Sequence, residues 1–217
     1  MRYRGIVFDA DGTLLDSMPM WQNFGREYLL AQGKNPHPDV DKDIQPMSFA
    51  GAAEYFRTEY GVDKPVDEIV ADFNRIVEQK YRFQIQPKPG ALALMKKLKA
   101  LSVKMCVATS TESHLVRLAL ERLGMMPYLV DCISCGDYHT SKNEPFIFEK
   151  ACELMGTGVE ESVVFEDSLH CIVTAKRAGF HVVCVADDFT AAYENQLREL
   201  SDYYLTRLDD FGWMDCE

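Results

Sequence analysis

Asp9 and Asp11 stand two residues apart in FDADGTLLDS, directly after an apolar run, and other apolar runs end in the same polar way: Thr109-Ser110 and Glu166-Asp167-Ser168, with Lys142 on the segment after a further run. If an extended strand continued through both aspartates, their carboxylates would project from one face within about 7 Å. Two anions that close need compensation. A hard divalent cation such as Mg2+, which takes oxygen ligands, is the natural remedy, and Asp167 would add a further oxygen. An ionised aspartate can attack phosphorus to form an acyl-phosphate while a second acid protonates the leaving oxygen, and Asp9 and Asp11 suit those two roles. A transferring phosphoryl group needs positive charge and donors, for which Lys142, the metal, Thr109 and the backbone amides after Asp9 and Thr109 are the candidates. Gly12 permits the positive φ or close backbone approach that would turn the chain over a ligand.

Each signal alone has a plainer reading. A lone DxD is more often a solvated turn, Thr109 a helix N-cap, Lys142 a surface charge, and Glu166 with Asp167 the acidic start of a helix. Their agreement at four segment ends favours one shared site.

The elements that would carry these residues are legible in the hydrophobic pattern. Apolar runs at Gly5 to Phe8, Val103 to Ala108, Leu129 to Ser134, Ser162 to Phe165 and His181 to Ala186 read as buried strands. Between most of them lie apolar residues at helical spacing, such as Ala91, Leu94, Met95, Leu98 and Leu101, or Val116, Ala119, Leu120 and Leu123. Further helices are expected from Pro145 to Met155 and from Leu169 to Ala178, stopped by Gly156 and Gly179. Alternation of strand and helix predicts an α/β fold with a doubly wound parallel sheet, whose ligands bind beyond the carboxyl ends of the strands. From Leu14 to about Gln86 no strand is expected. That stretch shows three helical patterns, near Met18 to Gln32, Phe49 to Tyr60 and Val66 to Phe83, separated by the turn-rich loops GKNPHPDVD and GVDKP. The predicted organisation is a main domain of residues 1–15 and 85–217 with a helical insertion over residues 16–84.

At 217 residues the chain is large enough for such an insertion. A net charge of -11 argues against nucleic acid as a partner, and it makes local positive charge a requirement for any phosphate site. Seven scattered cysteines, including the Cys132/Cys135 pair, are expected as buried free thiols in a reducing cytoplasm. No signal peptide and no apolar stretch near the ~20 residues of a membrane span is apparent.

With these residues in place, the chain resembles the haloacid dehalogenase superfamily, in particular its phosphatases and phosphomutases with a helical cap inserted after the first motif. DADGT looks like the first motif, ATS around Thr109 the second, Lys142 in SKNEPFIF the third, and FEDS at Phe165 to Ser168 the fourth. The resemblance implies a Rossmann-like core with an α-helical cap. It implies Asp9 as nucleophile and Asp11 as general acid/base. Thr109, Ser110 and Lys142 would bind phosphate, and Mg2+ would be held by Asp9, the backbone carbonyl of Asp11 and Asp167, with Glu166 helping through water. A dehalogenase is disfavoured because that branch lacks an acid in the place of Asp11. Asn143 and Cys171 stand where similar sequences usually carry proline and glycine. The β-phosphoglucomutase branch typically has a cap histidine and a valine where Trp21 and Thr13 stand here, which favours a hydrolase over a mutase.

Within the insertion, Met18, Met20, Trp21 and Phe24 are expected mainly as core, while Ser17, Trp21, Gln45 and Ser48 are candidates for substrate contact, with Gly12 beside the phosphate. His170 reads as a helix residue. The expected partner is a small phosphorylated metabolite, with no nucleic acid or membrane, bound by a monomer. A phosphorylation receiver module also joins an acidic cluster, a threonine and a lysine on a doubly wound sheet. The long insertion and Asp11 oppose it.

Overall fold

The computed structural model describes residues 3–45 and 47–212. The chain divides into two compact units, Met1–Ser17 with Ile85–Glu217, and Met18–Gln84.

The first unit is built on a parallel sheet of six strands. These are β1 (Gly5–Phe8), β4 (Lys104–Thr109), β5 (Asp131–Ser134), β6 (Ser162–Glu166), β7 (His181–Val185) and β8 (Tyr203–Leu205), in the order β5-β4-β1-β6-β7-β8. Every pairing is parallel, and β1 lies centrally with Val7 opposite Cys106 on one side and Val164 on the other. Successive side chains point to opposite faces, and helices cover both faces of such a sheet, so these strands carry continuous apolar runs. One face seats Val7, Cys106, Ala108 and Val164 against Ile147, Phe148, Ala151 and Met155 of α8 (Phe146–Met155) and Cys171, Ile172 and Ala175 of α9 (Leu169–Arg177). Residues of the other parity fill the opposite face, where the Phe8 and Phe165 rings lie 4.9 Å apart and Phe165 meets Phe211 at 5.1 Å. The remaining helices of this unit are α6 (Ala91–Ala100), α7 (Ser113–Arg122) and α10 (Glu194–Leu200).

Two features of this unit depart from the expected pattern. The edge strand β8, Tyr-Tyr-Leu, falls outside the expected runs; it is short, with Tyr203 exposed and its other two residues half-buried. A two-residue ribbon, β2 (Leu15–Asp16) against β3 (Gln86–Pro87), pairs the chain where it leaves for the insertion with the chain where it returns. The stretch expected to hold no strand thus begins with one, too short for any periodicity to register.

The helical unit holds α1 (Met18–Trp21), α2 (Phe24–Ala31), α3 (Val40–Ile44), α4 (Phe49–Tyr60) and α5 (Val66–Phe83). The single helix expected from Met18 to Gln32 is broken. The Asn23 side-chain amide donates to Pro19 O at 2.9 Å, taking the carbonyl that a continuing helix would offer to the Asn23 N–H. The restart at α2 is capped from a distance: Asp41 Oδ1 accepts from the amides of Gly25 at 2.7 Å and Arg26 at 3.2 Å. Asp41 lies in α3, a helix that starts in the last two residues of the segment GKNPHPDVD expected to be loop, and buried Val40 anchors it. Phe73 of α5 centres an aromatic cluster with Phe24, Tyr28, Phe49 and Phe56 at ring separations of 4.8 to 5.9 Å.

Candidate active site

β1 ends at Phe8 and β6 at Glu166, side by side, so the residues beyond them meet over the carboxyl edge of the sheet. The Asp9 amide donates to Phe165 O at 2.9 Å, which seats Asp9 beside the end of β6. Lys142 arrives from the turn before α8. Its buried ammonium donates to Asp9 Oδ1 and, at 2.8 Å, to Glu166 Oε1, and the charge sits 5.7 Å from the centre of the Phe148 ring. Glu166 Oε2 accepts the amides of Asp167 and Ser168, each at 2.9 Å. Both oxygens of Glu166 are therefore engaged, one holding the lysine and one shaping the start of α9.

Asp167 is buried on top of Gly12. The glycine has φ +84, and a Cβ at that position would stand 2.5 Å from Asp167 Oδ2. The position thus needs glycine on two counts, a left-handed backbone and the absence of a side chain. Fully buried Thr13 reaches the other oxygen, its hydroxyl donating to Asp167 Oδ1 at 3.4 Å.

Among the described residues, one set of three or more metal-ligating side chains comes close enough to share an ion: Asp9, Glu166 and Asp167, whose nearest ligand oxygens lie within 4.8 Å of one another. The electrostatics show how crowded this set is. Burial pushes the Asp9 carboxyl up to about 8, with Lys142 pulling against it and Glu166 and Asp11 adding to the rise. Asp167 is raised well above the carboxylate range, first by burial and then by Glu166, Asp9 and Asp187. Burial opposes the charge on Lys142, but Asp9 and Glu166 outweigh it and hold the ammonium well above the usual lysine range. Three carboxylates answer to one cation.

Asp11 does not stand as expected. The strand does not continue through it: the chain turns, with Leu14 N and Leu15 N both donating to Ala10 O and Gly12 N to Leu15 O. The Asp11 carboxylate lies outside the acidic set, so any part in holding an ion falls to its backbone carbonyl. Its oxygens accept two hydroxyls, Ser17 Oγ on Oδ1 at 2.6 Å and Thr111 Oγ1 on Oδ2 at 2.7 Å. Ser17, expected at the substrate, is fully buried and bound to Asp11 instead.

Thr109 closes β4 and is buried, its Oγ1 accepting the Thr111 amide at 3.1 Å, while Ser110 is exposed. Trp21 belongs to the helical unit, half-buried, with its ring 5.9 Å from that of Phe24. In that unit Met20 and Phe24 are core, Gln45 is exposed, and Ser48 caps α4 by accepting the Gly51 amide at 3.1 Å. The described cysteines, Cys132 and Cys135 among them, are free and buried; Cys216 lies outside the described residues. His170 sits in α9.

Sequence reasoning passed over three residues here. Thr111 is the third hydroxyl of the run Thr109-Ser110-Thr111, and only the fold brings it to Asp11. Asp187 stands just beyond the end of β7, so the rule that picked out the other strand ends also reaches it. Lys88 donates to Asp187 Oδ2 at 2.8 Å and to Ala186 O at 3.0 Å, a largely buried pair that ties the segment after β3 to the end of β7.

A parallel sheet with a buried acidic and lysine cluster at its carboxyl edge defines a class, and comparison with known proteins agrees on which. The model of the haloacid dehalogenase-like hydrolases matches residues 3–204, and the chain belongs to that family. Hexitol phosphatase A of Escherichia coli is 28% identical over 191 residues, 85% of this chain and 84% of the relative. The fructose-1-phosphate phosphatase YqaB of the same organism is 27% identical over 189 residues, covering 85% and 97%. The structure of a family IA, variant 3 hydrolase from Entamoeba histolytica superposes with a TM-score of 0.79 at 19% identity, over 98% and 96% of the two chains. The family match removes the receiver reading. No helix among the described residues is long and apolar enough to cross a membrane.

Proposed function

We propose that this chain is a Mg2+-dependent phosphatase that hydrolyses a small phosphate monoester, a phosphorylated sugar or sugar alcohol, through an aspartyl-phosphate on Asp9. The observation that carries the reading is the buried set of Asp9, Lys142, Glu166 and Asp167 at the ends of β1 and β6. The phosphatase relatives support the substrate class.

The residues fit a hard divalent cation. They offer oxygen donors only, converging within 4.8 Å, and their surplus of negative charge adds to burial in raising Asp9 and Asp167. Asp9 and Asp167 would hold the ion with the carbonyl of Asp11, and Glu166, with its oxygens engaged, would reach it through water. When bound, Mg2+ would offset the charge on the phosphoryl oxygens and favour the ionised form of Asp9.

The chain's own groups then divide the work. Asp9 attacks phosphorus, a bond forms from its carboxylate oxygen, and the bond to the leaving oxygen breaks as Asp11 gives that oxygen its proton. Asp11, now a base, takes a proton from water, whose oxygen attacks phosphorus and releases Asp9. Lys142 stays charged throughout and orients Asp9, while Thr109, Ser110 and the amides after Asp9 donate to the phosphoryl oxygens. A β-phosphoglucomutase-type reaction would use the same nucleophile and return the phosphoryl group to a second sugar hydroxyl.

The test is phosphate release from a panel of hexose and hexitol phosphates with Mg2+. Turnover is expected to stop with a chelator and to fall by more than about 10³-fold in Asp9→Asn, in line with loss of a covalent nucleophile. Normal turnover in Asp9→Asn would overturn the assignment, and an isomerised sugar phosphate formed without free phosphate would mark a mutase.

A further inference from the structure

The two hydroxyls on Asp11 have no part in the chemistry described above, yet they come from separate parts of the chain. Ser17 comes just after the ribbon strand β2, six residues after Asp11, and Thr111 lies in the loop after β4, a hundred residues on. Asp11 sits half-buried in the turn after β1, and the two hydroxyls both reach its carboxyl group. Each hydroxyl takes a different oxygen, at 2.6 and 2.7 Å, so rotation of the carboxyl breaks both contacts. Thr111 does more than touch Asp11. Its amide donates to Thr109 Oγ1 at 3.1 Å, occupying a lone pair of that hydroxyl and leaving its proton to point elsewhere.

We infer that Thr111, with Ser17 as its counterpart, is a positioning residue that aims the Asp11 carboxyl group at the leaving oxygen and ties that aim to the phosphate-binding loop after β4. The inference rests on the reading of Asp11 as the general acid. Its ground is geometric, since an acid delivers its proton only from within hydrogen-bond reach and small misplacements are costly.

The consequence is a dependence on the leaving group. An ester whose leaving oxygen is already stable as an anion needs little protonation; a poorer one needs the acid in place. The ratio kcat/KM reports steps through the first phosphoryl transfer, so it isolates this stage. The experiment compares 4-nitrophenyl phosphate with phenyl phosphate at saturating Mg2+ for the full-length wild type, Thr111→Val, Thr111→Ser and Asp11→Asn. Thr111→Val keeps the shape and the backbone amide but loses the hydroxyl. It is expected to lower kcat/KM for phenyl phosphate about tenfold more than for 4-nitrophenyl phosphate. Thr111→Ser, which keeps the donor, should restore the wild-type ratio between the two esters. If Thr111→Val does not fold, as judged by circular dichroism, Thr111→Ala carries the same comparison. Equal loss on both esters, or none, overturns the inference even where Asp11→Asn is selective against phenyl phosphate. If Asp11→Asn itself shows no such selectivity, the reading of Asp11 as acid falls and the inference with it.

Discussion

The behaviour of the site rests on a few side chains that share partners. Lys142 is shared between Asp9 and Glu166, and Glu166 in turn is shared between that lysine and two amides, so each carboxylate in the cluster has a distinct surrounding. This separates roles that residue type alone leaves equal. Asp167 presses against Gly12, which yields a direct test. Gly12→Ala forces a Cβ into the Asp167 carboxylate and leaves alanine in a left-handed conformation, at about 1–2 kcal/mol for the backbone alone. The expected result is a rise of about tenfold or more in the Mg2+ concentration for half-maximal activity, checked by metal titration of both proteins, as a displaced ligand or neighbour typically costs. An unchanged titration would show that the contact between Gly12 and Asp167 does not shape the metal site. At this scale most candidates were legible because they are polar residues directly after an apolar run, with Lys142 on the segment that follows one. Their pairing was not legible: Asp9 and Asp11 look equivalent in DADGT, yet one enters the acidic cluster and the other turns to Ser17 and Thr111.

Among elements, the helical unit shows the same division. The stripe of Ile69, Phe73 and Val77 in α5 was readable from 3.6-residue spacing, and these residues are buried. Ile76, one position before Val77, is only half-buried. The break at Asn23 and the cap supplied by Asp41 were not readable, since one depends on a side chain outcompeting its own backbone and the other on a residue 16 positions away. Phe73 is the packing centre of this unit. Phe73→Ala removes the ring that four others meet edge-on, and it is expected to cost about 3–5 kcal/mol. Urea unfolding followed by circular dichroism checks this, and a loss below about 1 kcal/mol would mean that the cluster closes over the gap.

Over the whole molecule, the charge of -11 opposes the approach of any phosphate ester. Positive charge at the site is held locally, on Lys142 and on an ion that the acidic set would bind, so it acts only at close range. Added salt screens the long-range repulsion while leaving the buried contacts largely intact. The expected outcome is that kcat/KM for a dianionic sugar phosphate rises about two- to threefold between low and physiological ionic strength at constant Mg2+. Stopped or initial-rate measurements across a salt series check it, and a fall would show that the local field of the site dominates encounter.

By itself the sequence determined the class of fold, the position of most strands and helices, and the acidic and basic residues at the strand ends. All of these are local signals, written in continuous apolar runs, in the 3.6-residue spacing of the helices and in the polar residues that follow several of the runs. Only the tertiary structure decided what those residues do to one another. Glu166 stands by Asp9 because β6 lies beside β1, Lys142 reaches both from the turn before α8, which packs against Val7 of β1, and Thr111 meets Asp11 across 100 positions because β4 lies on the other side of β1. Such contacts are set by strand order, which no local pattern contains. So the motif DADGT, two like acids in the sequence, becomes in the fold one buried carboxylate held by a lysine and one half-exposed carboxyl held by hydroxyls.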